Sequence, residues 1–253
     1  MHDSAQGVQP GLVQPRRWWP QLARPCVLCS QWASHSLCGD CRQRFLGQAM
    51  LRCPRCALAS PTGGVCGACQ HMPPPFSACT TLADYGFPWD RLISRLKFQQ
   101  QPELARLLAG LLADVLQAAP PLPPPQWLLP VPLSPQRLAE RGYNQAWLLA
   151  RALAALGGQQ ARGDWLLRLR DTPHQVGLGR SARERNLRHA MWLSPAGQRG
   201  VPGQRLALVD DVMTTGATAA AASQALLAAG AADVQVWVIA RTPVHTPAPS
   251  AGG

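Results

Sequence analysis

Two adjacent carboxylates, followed by a turn rich in threonine and glycine, are the residues of this chain best suited to hold a ligand. They lie in RLALVDDVMTTG, Arg205 to Gly216, where four apolar residues precede Asp210 and Asp211. The apolar run reads as a buried strand, and the alanine-rich stretch Ala217 to Ala229 reads as a helix. In that order, the backbone N–H groups from Met213 to Thr218 converge at the positive end of a helix dipole, where anions bind. The hydroxyls of Thr214, Thr215 and Thr218 add donors, and Gly216 lets the backbone approach a bound group closely. Carboxylates beside such a cradle can accept hydrogen bonds from the vicinal hydroxyls of a ribose. The expected occupant is a ribose 5-phosphate on Asp210, Asp211, Thr214, Thr215, Gly216, Ala217 and Thr218. Taken piece by piece, the same residues could simply end a strand and cap a helix. A Walker-type site is excluded, because the sole lysine, Lys97, sits in SRLKFQQ and no GxxxxGK occurs.

The second chemistry belongs to cysteine. All nine cysteines fall between Cys26 and Cys79, and eight form CxxC pairs: Cys26 with Cys29, Cys38 with Cys41, Cys53 with Cys56, and Cys66 with Cys69. A CxxC turn aims two thiolates at one ion, and two turns complete a tetrahedral zinc site. Zinc binding there would supply folding energy to a segment with few large apolar side chains. Sequential ligation, one ion per half, is preferred, with interleaved pairing and iron–sulfur ligation as alternatives. Disulfides are disfavoured, since no secretory signal accompanies the cysteines. Cys79 is left over and reads as a small buried apolar residue.

Arginine supplies the third. VPLSPQRLAERGYNQ, Val131 to Gln145, reads as a loop beyond a strand end and carries Arg137, Arg141, Asn144 and Gln145. A second irregular stretch, Arg168 to Asn186, includes Arg183 and Arg185 and reads as a lid. A diphosphate leaving an anomeric carbon needs charge neutralisation of the kind arginines and a magnesium ion supply. A solvated basic face or nucleic-acid patch is the alternative for the second stretch. The net charge of +11 over 253 residues favours anionic partners in either case. GLGRSA, Gly177 to Ala182, formally matches a dinucleotide fingerprint but is led by no strand.

Elements that could position these groups alternate along the chain. Strands are expected at Thr80 to Tyr85, Trp127 to Val131, Trp165 to Leu169, Leu206 to Val209 and Val234 to Ala240. Helices are expected at Asp90 to Phe98, Glu103 to Leu116, Asn144 to Leu156 and Ala217 to Ala229, with the proline-rich run at Ala119 to Pro125 as a hard stop. Such alternation argues for an α/β fold with a mainly parallel sheet flanked by helices, and ligands beyond the carboxyl ends of its strands. The expected organisation is a tail over 1–25, a cysteine module over 26–75, the α/β domain over 76–243 and a tail over 244–253. No apolar run is long enough to span a bilayer, so the expected location is the cytoplasm, with any hold on the inner face of the membrane made through a partner.

The knuckles, ADYGFPWDRLISRLKF, the VPL…R…RGYNQ segment, the T..Q..L….R.RN segment and LVDDVMTTGAT occur in the order of the ComF family, which the chain resembles from about Cys26 to Arg241. The likeness is greatest to its GntX-type DNA-utilisation proteins. It implies a type I phosphoribosyltransferase fold carrying an N-terminal double zinc ribbon, with phosphoribosyl pyrophosphate and magnesium at the acidic loop. It also implies a part in DNA uptake for transformation, or in use of DNA as a nutrient, alongside single-stranded DNA and the uptake machinery. Arg137, Arg141, Arg183 and Arg185 would then face the diphosphate. Neither an acceptor nor a general base leaves a motif, so a transferase and a non-catalytic single-stranded DNA-binding protein that only senses the metabolite both stand. Pro173 and Gly177 in the lid segment depart from the pattern.

Overall fold

The apolar run before the acidic pair is the middle of a nine-residue strand, β8 (Arg205–Met213), whose Leu206, Ala207, Leu208 and Val209 are fully buried. A strand apolar on both faces belongs inside a parallel sheet. Its neighbours are β4 (Trp127–Pro130) and β9 (Asp233–Arg241), and the sheet is completed by β3 (Ala78–Asp84) beyond β9 and β5 (Gln160–Ala161) beyond β4. All four pairings are parallel. The computed structural model describes residues 23–47, 50–120, 123–168 and 191–243.

Helices connect the parallel strands as the periodicity expects. Helix α3 (Trp89–Phe98) buries Trp89, Leu92, Ile93 and Leu96, spaced to form one apolar stripe. Helix α4 (Leu104–Ala118) buries Leu104, Leu108, Leu111 and Leu112 and stops before the proline run. Helix α6 (Gln145–Gly157) starts at Asn144, whose side chain accepts the N–H groups of Ala146 and Trp147, and ends at Gly158 with a positive φ of 74°. The last helix, α8 (Ala217–Ala228), is mostly alanine and leucine, strong helix formers. No helix among the described residues is long and apolar enough to cross a membrane.

Two expectations change. The strand near Trp165 forms, as β6 (Leu166–Arg168), but it pairs antiparallel with β7 (Met191–Leu193) in a separate two-stranded sheet. Along it, buried Leu166 is followed by exposed Leu167, the one-sided pattern of an antiparallel ribbon and not of a doubly covered parallel strand. The Val131 to Gln145 segment is not all loop. Pro135–Arg141 is a short helix, α5, opened by the Ser134 hydroxyl accepting the Arg137 N–H and closed by Gly142 at φ 80°. Seven residues are too few for periodicity to show. A further short helix, α7 (Pro195–Gly200), also starts on a Ser-Pro pair.

The chain divides into two units, Met1–Arg44 and Phe45–Gly253. The first holds β1 (Arg24–Pro25) paired with β2 (Trp32–Ala33) and the start of α1 (Gly39–Leu46). The second holds the sheet together with Cys53 to Cys69 and α2 (Gly67–His71). The division therefore falls inside the cysteine-framed segment. Within the second unit the Pro54 carbonyl accepts the Cys79 N–H at 3.0 Å, and Arg52 pairs with Asp84 at 2.6 Å.

Candidate functional site

The turn from β8 into α8 encloses a cavity of about 50 Å³ lined by Asp210, Val212, Met213 and every residue from Thr214 to Ala219. Gly216 makes this turn with φ 81°. A Cβ there would touch Met213 Sδ at an ordinary 3.7 Å, so glycine is required by the backbone conformation and not by space. The Thr215 hydroxyl accepts the Ala217 N–H at 3.3 Å, which accounts for one of the helix's free amides. A cavity of this size suits a single anionic group more than a whole nucleotide. The structure thus brings Asp210, Thr214, Thr215, Gly216, Ala217 and Thr218 together.

It does not bring Asp211 with them. Successive side chains on a strand point to opposite faces, so Asp210 lines the loop cavity while Asp211, 2% exposed, points away. Its Oδ2 is paired with Lys97 Nζ at 2.9 Å. The chain's sole lysine was recognisable as unusual from sequence, but its partner is one hundred and more positions away and no local signal gives it. Burial and the neighbouring Asp211 carboxylate push the Asp210 carboxyl well above its ordinary range, with Lys97 offsetting part of the rise. Asp210 Oδ1 accepts the Asp211 N–H at 2.8 Å.

Lys97 also lines a second cavity, about 160 Å³, with Phe98, Gln100, Arg137, Glu140 and Arg141. Arg141 stacks over the Phe98 ring at 5.1 Å and donates to the Gln145 side chain. Asn144 and Gln145 are engaged in the fold: Asn144 caps α6 and donates to the Val131 carbonyl at 3.1 Å, and Gln145 is buried. Arg183 and Arg185 lie outside the described residues.

The cysteines gather sequentially, Cys26, Cys29, Cys38 and Cys41 in one cluster and Cys53, Cys56, Cys66 and Cys69 in the other, with all ligand atoms within 4.8 Å of each other. The Cys29–Cys38 and Cys56–Cys66 sulfurs are 3.7 Å apart. That matches the edge of about 3.8 Å of a tetrahedron with Zn–S distances of about 2.3 Å. Amides point at the sulfurs as well: Cys38 N–H to Cys26 Sγ at 3.4 Å and Cys66 N–H to Cys53 Sγ at 3.3 Å. Burial opposes ionisation, yet such amide donors bring the Cys26 thiol down to about 6 and the Cys53 thiol to about 7. By the gathering of their sulfurs both clusters could hold a structural zinc, and neither uses His35 or His71. Burial pushes the leftover Cys79 thiol up to about 12, consistent with a core residue and not a nucleophile.

Sequence reasoning missed Arg241. It ends a strand in which Val234 and every residue from Val236 to Ala240 are buried and apolar, and is itself 5% exposed. Its Nη1 donates to the carbonyls of Met213, Thr214 and Thr242, and its Nε to the Cys56 carbonyl at 2.9 Å. A charge closing VQVWVIAR was the only signal available.

No established protein-family profile matches the chain. Among solved structures it is similar to the glutamine phosphoribosylpyrophosphate amidotransferase from B. subtilis, at 17% identity and a TM-score of 0.39 over 57% of this chain and 30% of that one. Another is the Trypanosoma cruzi hypoxanthine phosphoribosyl transferase, at 14% identity and a TM-score of 0.33 over 62% and 76%. Sequence relatives are nearer. The DNA utilization protein YhgH of Salmonella typhi is 37% identical over 235 residues, 91% of this chain and 99% of that protein. Competence protein F of Haemophilus influenzae is 33% identical over 85% and 96%, and competence protein ComFC of Bacillus subtilis is 26% identical over 81% and 84%. With both cysteine clusters, the parallel sheet and the acidic loop in the expected order, the chain belongs to the ComF family of DNA-utilization and competence proteins.

Proposed function

We propose that this chain binds phosphoribosyl pyrophosphate in the service of DNA uptake or DNA use. The observation that carries the reading is the shared cavity of Asp210 and the Thr214–Thr218 loop at the carboxyl end of a central parallel strand. The 5-phosphate would rest on the amides and hydroxyls of that loop, and the ribose hydroxyls against Asp210. The acidic pair joins two cavities, since Asp210 lines the first and Asp211 is held by the lysine that lines the second. The second, with Lys97, Arg137 and Arg141, has the charge to take a diphosphate, and the sequence adds Arg183 and Arg185 to that set. Magnesium would supply charge neutralisation for the departing diphosphate, with Asp210 as the hard oxygen donor that faces the loop cavity, Asp211 being turned away onto Lys97. A cation beside Asp210 would also draw its raised pKa down, so that the carboxylate accepts the hydroxyls as an anion.

A second reading is favoured by one feature. Phe98 is 70% exposed beside Arg141, a pairing of ring and cation that can stack a base, and the +11 charge attracts a phosphate backbone. In that reading the chain grips single-stranded DNA and the metabolite only sets its state. Phosphorus NMR of the magnesium complex of phosphoribosyl pyrophosphate, with zinc-loaded protein and a panel of bases and oligonucleotides, separates the two. Broadened lines with new diphosphate identify a transferase, and broadening without diphosphate identifies a sensor. Unchanged lines with the wild-type chain overturn both.

A further inference from the structure

Arg241 is a buried cation whose four acceptors are all main-chain carbonyls, and three of them belong to two different sites. On one side its Nε holds the carbonyl of Cys56, a member of the second cysteine cluster. On the other its Nη1 holds the carbonyls of Met213 and Thr214, in the turn that lines the anion cavity. A trans peptide points its N–H opposite its C=O. Fixing the Met213 and Thr214 carbonyls toward Arg241 therefore turns the N–H groups of Thr214 and Thr215 away from it, and these are amides of the cradle. Arginine can fill this post because its planar fork donates in several directions at fixed angles; lysine offers a single point charge.

The geometry points to Arg241 as a positioning residue that couples metal occupancy of the Cys53, Cys56, Cys66 and Cys69 cluster to the shape of the phosphate loop. With the four cysteines gathered on an ion, the Cys53–Cys56 knuckle is held in one conformation, and the Cys56 carbonyl anchors the guanidinium. The guanidinium in turn holds the Met213 and Thr214 peptides. Without the ion the knuckle loses its closure, Arg241 loses one of its four acceptors, and the loop is less constrained. Cys26, Cys29, Cys38 and Cys41 lie in the other unit and supply Arg241 with none of these acceptors, so that cluster is the natural control. The consequence for ligand affinity rests on the reading of the loop as a phosphoribosyl site; the coupling itself does not.

Hydrogen exchange of the full-length, zinc-loaded protein tests the coupling without a ligand. In Cys66→Ser, exchange in a peptide spanning Met213 to Ala219 is expected to rise about tenfold, the loss of roughly one charge-assisted hydrogen bond, while Cys29→Ser leaves it as in wild type. Arg241→Lys is expected to raise it to the same degree with both metals retained, and Cys66→Ser added to Arg241→Lys to raise it no further. Competition with a chromogenic chelator should show zinc held about 10- to 100-fold less tightly at the second cluster alone in Arg241→Lys. Should Arg241→Lys not fold, stepwise zinc removal from wild type decides through the same peptide. Loop exchange unchanged by loss of the second metal overturns the proposal. Titration with magnesium phosphoribosyl pyrophosphate distinguishes the two readings: wild type that binds none of it refutes the phosphoribosyl site, while the exchange result still decides the strut.

Discussion

At the scale of single residues, Asp210 is a buried carboxyl whose ionisation costs the folded chain stability. The raised Asp210 pKa means that the folded chain binds a proton more tightly than the unfolded one, whose carboxyl titrates near 3.9. Stability therefore falls as pH rises from the unfolded value through the folded one, and it is lower at neutral pH than in acid by that amount. Asp210→Asn removes the effect. Thermal melts should show the variant a few degrees more stable than wild type at pH 7, with the gap closing toward pH 4; equal melting at both pH values would contradict the assignment. The Lys97–Asp211 pair behaves oppositely. Removing the lysine leaves Asp211 buried and uncompensated, so Lys97→Met should cost about 2 kcal/mol, less than for a fully enclosed pair because Lys97 is 22% exposed. Adding Asp211→Asn should recover most of that loss in a double-mutant cycle, and additive losses would show that the pair is not coupled.

At the scale of elements, the turn from β8 into α8 shapes the candidate site. Gly216→Ala places a side chain at φ 81° with room around it, so its expected cost is the left-handed strain of about 1–2 kcal/mol in denaturant unfolding, with weaker anion binding and an intact sheet. Wild-type stability in this variant would mean that the turn relaxes freely. The strand and helix around that turn were legible in sequence because their signals are local: a short apolar run, two carboxylates, and then alanines. The α5 helix was not, since its evidence is a Ser-Pro start and a glycine stop with no periodicity between them. The strand at Trp165 was legible as a strand but not in its partner, because pairing depends on Met191–Leu193 across more than twenty residues. In sequence Asp210 and Asp211 read as two carboxylates on one ligand, although strand alternation turns neighbouring side chains to opposite faces, and the Lys97 partner that fixes Asp211 required the fold.

At the scale of the whole molecule, the eight paired cysteines are one motif in sequence and two objects in space. The first cluster lies in its own unit, while the second belongs to the unit of the sheet, tied to it through Pro54, Cys56 and Arg52. CxxC spacing reports which thiolates can share an ion but says nothing of what the knuckle's carbonyls touch, so this asymmetry lay outside the sequence. Cys53→Ser should therefore lower the melting temperature of the sheet-bearing unit, by about 2–4 °C for each kcal/mol lost at this size, and Cys29→Ser should not. Equal effects from both would mean that the clusters support the fold alike. The sheet-bearing unit also carries the Asp210 and Thr214–Thr218 loop, for which binding of phosphoribosyl pyrophosphate is the central claim. Calorimetry of magnesium phosphoribosyl pyrophosphate against the zinc-loaded chain measures that claim most directly. Wild type should bind at one site per chain, with Asp210→Asn weaker by about 10- to 100-fold, the worth of the charge-assisted hydrogen bonds removed. No heat with wild type, or equal affinity in Asp210→Asn, would contradict it.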